Sequence, residues 1–330
     1  MAQREKIALV VTGGQVGTQF NKESKSLQPT VTSQQMISWL PESMTGRIVP
    51  MDWSHQPSSH YSMRMTFDLV QILAKTVIDG ASGVVVSCGT DTMEEMAYLT
   101  DLYWSYPQPV VFTGSTMPSD GLGADAAANL YQAVLAGAAE ETWGMGVLVC
   151  VQEQLFAASE VTETECQRKS AFSAPGRGPI GQFIADRVDI LRQPIRSRIV
   201  SDNPPARDVE LLYATLGGGD DLLEMLSSDK KRKLEGVVIS AFGSGSVPPS
   251  WIPHIKKIIK DGVSVVVTSR CHQGHTSPGG QTFEGSFSRL LELGVLDGGH
   301  LRPVQARIKL AVALGAELKG GALQQYLLEG

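Results

Sequence analysis

The chain is poor in cysteine and has no long hydrophobic run. Its cysteines, Cys88, Cys150, Cys166 and Cys271, are scattered without the spacing of a disulfide framework or a zinc site. No stretch approaches the ~18 apolar residues of a membrane span. The apolar run Ile7–Val11 is too short for the core of a signal peptide. We therefore expect a cytoplasmic protein without a bound metal.

The chain also lacks a strong excess of charge. It carries 28 Lys and Arg against 34 Asp and Glu, a formal net charge of −6. The one basic run, 229–233, is more typical of a solvated helix face than of a nucleic-acid patch. With 42% hydrophobic residues, the 330-residue chain can bury a core in about two domains. The sequence thus indicates no nucleic-acid partner, no membrane partner and no cofactor.

Apolar runs alternate with helical stretches in the first part of the chain. Thr66–Val77 and Ala126–Ala139 have the pattern of helices between strands. This rhythm predicts a large, doubly wound α/β domain that binds ligands at the carboxyl ends of its strands. The buried parallel strands are expected at Ile7–Val11, Val84–Val86, Val110–Phe112 and Val147–Val151.

A dense run of charges and prolines over 192–208 predicts a linker. We therefore expect an N-terminal domain over 1–191 and a smaller C-terminal parallel α/β domain over 209–330. The strands of the second domain are expected at Val209–Tyr213, Gly236–Ile239 and Ser264–Ser269.

The segment Gly83–Leu99 is the strongest candidate for chemistry. A buried strand ends there, and Thr90, Asp91 and Thr92 follow immediately before a helix. Such a junction holds reactive groups rigidly and presents free backbone N–H groups to an anion. The alternative is a structural cap, in which Asp91 or Thr92 pairs with Glu95 at the helix start.

Further motifs lie elsewhere in the chain: Thr12–Gln15, Cys88–Thr92, Thr113–Asp120, Ala241–Pro249, Thr268–Arg270 and Ala306–Leu310. Together they resemble the bacterial-type L-asparaginase/glutaminase family over essentially the whole chain. The resemblance implies a large and a small α/β domain. It also implies a homodimer or homotetramer with active sites at a subunit interface, and a small amino-acid-like substrate.

The family's catalytic set is only partly present. Thr90 and Asp91 match the second threonine and the aspartate of the family. Gln15 stands where the resemblance implies a threonine nucleophile, and an amide cannot serve as one. Glu163 replaces the lysine that activates the second threonine, and Cys88 replaces a histidine. We therefore predict a rewritten catalytic site formed by Thr90, Asp91 and Glu163.

The substrate-binding positions are also altered, and we expect them at Gln15, Trp53, Ser54, Cys88, Ser246 and Glu284. Ser54 is the candidate for the serine that binds the substrate α-carboxylate, and Trp53 beside it is expected to fill part of the pocket. Ser246 stands where the resemblance implies an asparagine, and Glu284 falls near the position of a family glutamate that reaches into the neighbouring subunit's site. The loop Gly17–Thr32 has no tyrosine where the family has one.

Three of these positions have open alternatives. Cys88 is either a thiolate near a helix start or a small buried hydrophobe. Glu163 is a general base for Thr90, a binder of a cationic substrate group, or a surface carboxylate. Gln15 either hydrogen-bonds a ligand or fills the space of the missing nucleophile.

Three functions follow from these residues. The leading hypothesis is an enzyme acting on a small amino-acid-like amide or related acyl substrate by altered chemistry. The second is a catalytically silent homologue with a binding or regulatory role. The third is ordinary L-asparagine hydrolysis with a substitute nucleophile such as Thr18.

Overall fold

A computed structural model describes residues 6–21, 23, 25–229 and 231–330. The chain divides into two compact units, Met1–Arg198 and Ile199–Gly330. The domain limits expected from the sequence, with a linker over 192–208, stay a prediction. None of the helices in the described ranges combines the length and the apolar character that crossing a membrane requires.

The first unit is built on a mixed sheet. Its helices and strands are β1 (Ile7–Gly13), β2 (Thr18–Asn21), β3 (Ser26–Pro29), α1 (Ser33–Ile37), α2 (Glu42–Thr45), β4 (Ile48–Gln56), α3 (Met63–Ile78), β5 (Gly83–Ser87), α4 (Met93–Tyr103), β6 (Val110–Thr113), α5 (Ala126–Ala138), β7 (Val147–Val151), β8 (Gln154–Ala157), β9 (Thr162–Glu163), β10 (Phe172–Ser173), β11 (Gly181–Ile184) and β12 (Arg187–Ile190).

The large sheet explains the continuous apolar runs of the sequence. Its order is β12-β11-β8-β7-β6-β5-β1-β4, and the strands from β7 to β4 are parallel. Val84 and Val86 pack on one face with residues of α3 and α4, whereas Val85 packs on the other face with residues of α5. Because both faces are buried, each of these strands is apolar throughout. The predicted α/β architecture is confirmed.

The end of the large sheet differs from a purely parallel expectation. β7 and β8 form an antiparallel hairpin, and β11 and β12 extend it. The turn consists of Gln152 and Glu153, which both have positive φ, 49° and 63°. A two-residue turn with two positive φ angles matches the twist of antiparallel strands. The sequence lacks the Asn-Gly or Asp-Gly signal that would have predicted it.

The second unit is a smaller parallel α/β structure. Its sheet has the order β13-β14-β15-β16 and all its pairs are parallel, as predicted. Its elements are β13 (Val209–Tyr213), α6 (Asp220–Ser228), β14 (Gly236–Ala241), α7 (Ile252–Lys260), β15 (Ser264–Ser269), α8 (Phe287–Glu292), β16 (Leu296–Asp297), α9 (Pro303–Gly315) and α10 (Gly320–Leu328).

A buried lysine in α9 gives this unit a testable pH dependence. Lys309 is fully buried, and its Nζ donates to the carbonyl oxygens of Leu327 and Glu329 near the end of α10. Burial lowers the pKa of Lys309 from 10.5 to about 8. Between these pH values the unfolded chain binds more protons than the native one, so the free energy of unfolding rises with pH.

We expect Lys309→Met to remove this rise. Relative to that of the variant, the free energy of unfolding of the wild type should rise by up to roughly 3 kcal/mol between pH 8 and pH 10.5. Urea unfolding of both proteins at several pH values measures the difference. Parallel pH profiles of the two proteins would contradict the assignment.

Candidate active site

A cavity of about 460 Å³ lies in the first unit, at the carboxyl ends of β1 and β5. The residues following four neighbouring strands, β4, β1, β5 and β6, meet there, as parallel α/β folds favour. The side chains and backbone that line it are those of Gly14, Gln15, Thr18, Leu27, Pro57, Ser58, Gly89, Thr90, Asp91, Thr116, Glu163 and Cys166.

Two glycines allow the strand ends to approach each other. Gly14 has φ +79°, and a Cβ there would lie 2.2 Å from the Gly89 Cα. A Cβ on Gly89 would lie 2.5 Å from the Ser58 Oγ. Side chains at either position would push the two turns apart. These glycines therefore fix the spacing between Gln15 and Thr90.

The Thr90–Thr92 segment forms a short 3-10 helix before α4 and is held by Ser58. The Ser58 Oγ donates to the Asp91 carboxylate at 3.0 Å, and the Thr92 Oγ1 donates to the Ser58 carbonyl at 3.0 Å. Among the described residues, neither this helix nor α4 has a side-chain hydrogen bond at its N-cap. The side chains of Asp91 and Thr92 therefore cap neither helix.

The hydroxyl of Thr90 and the amide of Gln15 are half-buried and line the cavity. Neither side chain makes a hydrogen bond to another residue in the described part of the chain. Both groups are therefore available to a ligand. Thr18 also lines the cavity, but its Oγ1 donates to the Gly14 carbonyl at 2.8 Å.

Glu163 reaches the same cavity from β9, which pairs with β10. Burial raises the pKa of the Glu163 carboxyl, and the nearby carboxylates of Glu94 and Asp91 raise it further. A carboxylate that lies close to others and is partly desolvated resists ionisation in this way. Glu163 therefore lines the cavity, and its role there stays a prediction.

Cys88 does not face the cavity. It is fully buried in the core beneath the sheet, and burial strongly raises the pKa of its thiol. A thiol in such surroundings is neither a nucleophile nor a ligand for substrate. The structure therefore overturns Cys88 as a binding residue and leaves it as a small buried hydrophobe.

Ser54 and Trp53 also lie outside the cavity. β4 continues to Gln56, so both residues are still within the strand and neither belongs to the described cavity lining. Trp53 stacks on Tyr61 with ring centroids 5.4 Å apart, and the Ser54 Oγ accepts a hydrogen bond from the Gln56 backbone. The expectation that the indole fills the pocket is wrong.

Ser58 and Thr116 are cavity residues that the sequence reasoning missed. Ser58 begins a 3-10 helix directly after β4 and Pro57, and a turn at the carboxyl end of a strand is the signal that could have found it. Thr116 follows β6, and its buried Oγ1 has no hydrogen-bond partner within the described residues. An unpaired buried hydroxyl in a cavity is a place for a ligand to bind.

Ser246 and Glu284 lie in the second unit, on neighbouring loops. The backbone N–H of Val247 donates to the Gly285 carbonyl at 2.9 Å, which joins the loop after β14 to the loop before α8. Ser246 is half-buried and Glu284 is exposed. Their roles stay predictions.

Comparisons with known proteins match this architecture from end to end. The asparaginase N-terminal family model matches residues 6–196, and the glutaminase/asparaginase C-terminal domain model matches residues 208–327. The chain belongs to the asparaginase family. The family likeness thus covers both units, including the strand ends that form the cavity.

Individual relatives agree with this membership. The chain is 27% identical to an L-asparaginase of Bacillus licheniformis over 96% of this chain and 97% of that protein. It is 28% identical to one subunit of the glutamyl-tRNA(Gln) amidotransferase of Haloquadratum walsbyi, over 93% of this chain and 71% of the relative. A probable cytoplasmic L-asparaginase from Campylobacter jejuni has a crystal structure that superposes with a TM-score of 0.87. The two are 27% identical, and the match covers 99% of this chain and 100% of the other.

Proposed function

We propose that this asparaginase-family protein is an amidohydrolase-like enzyme with a rewritten active site. It acts on a small amino-acid-like amide or related acyl substrate by chemistry that differs from ordinary asparagine hydrolysis. The observation that supports it is the composition of the cavity. A free hydroxyl, Thr90, lies with the carboxylates of Asp91 and Glu163. Gln15 lines the same cavity and stands where the family resemblance implies a threonine nucleophile.

The proposed reaction uses Thr90 as nucleophile. Its Oγ attacks the substrate carbonyl carbon while its proton passes to the Glu163 carboxylate, whose raised pKa makes it a better base than an exposed glutamate. The backbone N–H groups at the start of the Thr90–Thr92 helix stabilise the developing oxyanion. Asp91, positioned by Ser58, binds the substrate amino group.

The second half of the reaction returns the site to its starting state. The carbonyl–nitrogen bond breaks as Glu163 gives its proton to the leaving amine. A water molecule then attacks the acyl ester on Thr90 while Glu163 takes up its proton. As the ester bond breaks and the acid is released, Glu163 returns this proton to the Thr90 Oγ. No cofactor takes part in this scheme.

We expect Thr90→Val to lower turnover at least about 100-fold without lowering the melting temperature. A thermal-shift screen over amino-acid amides, esters and lactams first identifies ligands, and mass spectrometry then detects their conversion. Thr18→Val is the matched variant in the same cavity. We expect it to retain activity because the Thr18 hydroxyl already donates to the Gly14 carbonyl.

Two results would contradict the proposal. If Thr18→Val abolishes turnover and Thr90→Val does not, the nucleophile is Thr18. If ligands bind but none is converted by wild type, the protein is a silent homologue with a binding role.

The family resemblance also suggests the assembly and location. We propose a homodimer or homotetramer with active sites at a subunit interface, which light scattering tests. The Campylobacter jejuni relative is described as probably cytoplasmic. We propose the same location for this protein, which cell fractionation tests.

A further inference from the structure

The cavity carries two carboxylates and no described positive charge. Asp91 and Glu163 both line it, and none of the other described lining residues is basic. The neutral lining groups, Gln15 and Thr116 among them, can hydrogen-bond an amide but cannot neutralise a ligand's carboxylate. The electrostatic potential in the cavity therefore favours cations.

The Glu163 carboxylate is the uncompensated member of the pair. It makes no hydrogen bond or ion pair with any residue that the structure describes. Asp91, in contrast, accepts the Ser58 hydroxyl at 3.0 Å. Glu163 is only half-exposed, and the carboxylates of Asp91 and Glu94 repel it. A cation placed between Asp91 and Glu163 relieves this repulsion, whereas an anion adds to it.

The substrate of an ordinary member of the family does not relieve this repulsion fully. L-Asparagine carries one ammonium and one carboxylate, so it brings no net charge to a site that holds two carboxylates. Replacing its α-carboxylate by a neutral amide removes a repelled group and keeps the ammonium for Asp91. The amide fits the same volume because the two molecules have nearly the same shape.

We propose that the substrate of this cavity carries a net positive charge, as an amino-acid-like amide with a free amino group and no free carboxylate. This inference rests on the proposed function and specifies its substrate class. Glu163 keeps its role as base, and its charge in the resting site selects the cationic ligand.

Three ligands of nearly equal shape test the proposal: L-aspartate, L-asparagine and L-asparagine amide. They are respectively anionic, neutral and cationic at neutral pH. Titration calorimetry with wild type should show affinity rising in that order, by about tenfold at each step. In Glu163→Gln, the difference between asparagine and its amide should fall to about threefold or less.

Glu42→Gln is the matched control, since it removes the same charge elsewhere. Glu42 is exposed in α2, which precedes the amino end of β4, whereas the cavity lies at the carboxyl ends of the strands. The control should keep the full preference. Lowering the pH through the raised pKa of Glu163 should weaken the preference in wild type but not in Glu163→Gln.

The proposal is overturned if asparagine or aspartate binds as tightly as the amide, if the amide does not bind, or if Glu163→Gln keeps the full preference. These outcomes are distinct from failure of the proposed function. If the amide, or any other cationic ligand, binds but is not converted, the charge selection stands and the proposed enzymatic function fails. If instead a neutral substrate binds best and is converted, the enzymatic function stands and the charge selection fails.

Discussion

The double variant Gln15→Thr/Glu163→Lys should hydrolyse L-asparagine, and wild type should not. The two substitutions restore the residues that the family resemblance implies at these positions, beside Thr90 and Asp91, which already match. Both altered side chains line the same cavity, so the restored hydroxyl and ammonium would face the site. Replacing Glu163 by lysine also removes the carboxylate repulsion that disfavours asparagine.

We expect the release of ammonia from L-asparagine to rise about 10³-fold or more over wild type. Removal of a nucleophile from a catalytic set costs factors of this size or larger, and the members of such a set act as a unit. Each single variant should therefore show little of the gain. Adding Thr90→Val to the double variant should abolish it.

Two outcomes would contradict this expectation. Asparagine hydrolysis by wild type at the rate of the double variant would show that the chain hydrolyses asparagine without a threonine at position 15 or a lysine at position 163. A folded double variant without activity would show that the other departures from the family, such as Ser246 and the loop Gly17–Thr32 without a tyrosine, also prevent the reaction. Thermal denaturation of each variant distinguishes the second case from misfolding.

The fold could be predicted because its signals are local and redundant. Val84–Val86 is apolar throughout since both faces of its strand are buried. The predicted helix Thr66–Val77 lies within α3, Met63–Ile78. Such patterns depend on residues close in sequence. The hairpin at Gln152 and Glu153 could not be predicted because its positive φ angles have no glycine or asparagine to indicate them.

Site residues were predictable where a motif fixes the backbone, but not where their position depends on how far a strand extends. Thr90 and Asp91 follow β5 directly, so their place at the strand end follows from the sequence. The place of Ser58 depends on β4 continuing to Gln56, and alternation along a half-exposed edge strand does not indicate where it ends. The burial of Cys88 depends on packing between distant segments, which composition does not reveal.

Arg196→Leu should destabilise the first unit by about 3–5 kcal/mol. The Asp101 carboxylate in α4 is 3% exposed and accepts from the Arg196 Nε at 2.8 Å and from the Val147 backbone N–H at 3.0 Å. Burial raises the pKa of Asp101, and the Arg196 guanidinium opposes this rise. Without the arginine, the carboxylate is buried without a compensating charge, in the helix that begins after Thr90–Thr92.

Urea unfolding of wild type and three variants measures this effect. Arg64→Leu is the control, since it breaks an exposed ion pair: the side chains of Arg64 and Asp68 are 66% and 51% exposed. This variant should lower the free energy of unfolding by less than about 1 kcal/mol. Asp101→Asn/Arg196→Leu should recover part of the lost stability, because it removes the buried charge along with its partner.

The loss of stability in Arg196→Leu should also shrink at acid pH, since a protonated, neutral carboxyl group does not require the guanidinium as a counter-charge. A loss no greater than that of Arg64→Leu, or a double variant no more stable than Arg196→Leu, would mean that the Asp101–Arg196 pair does not stabilise α4.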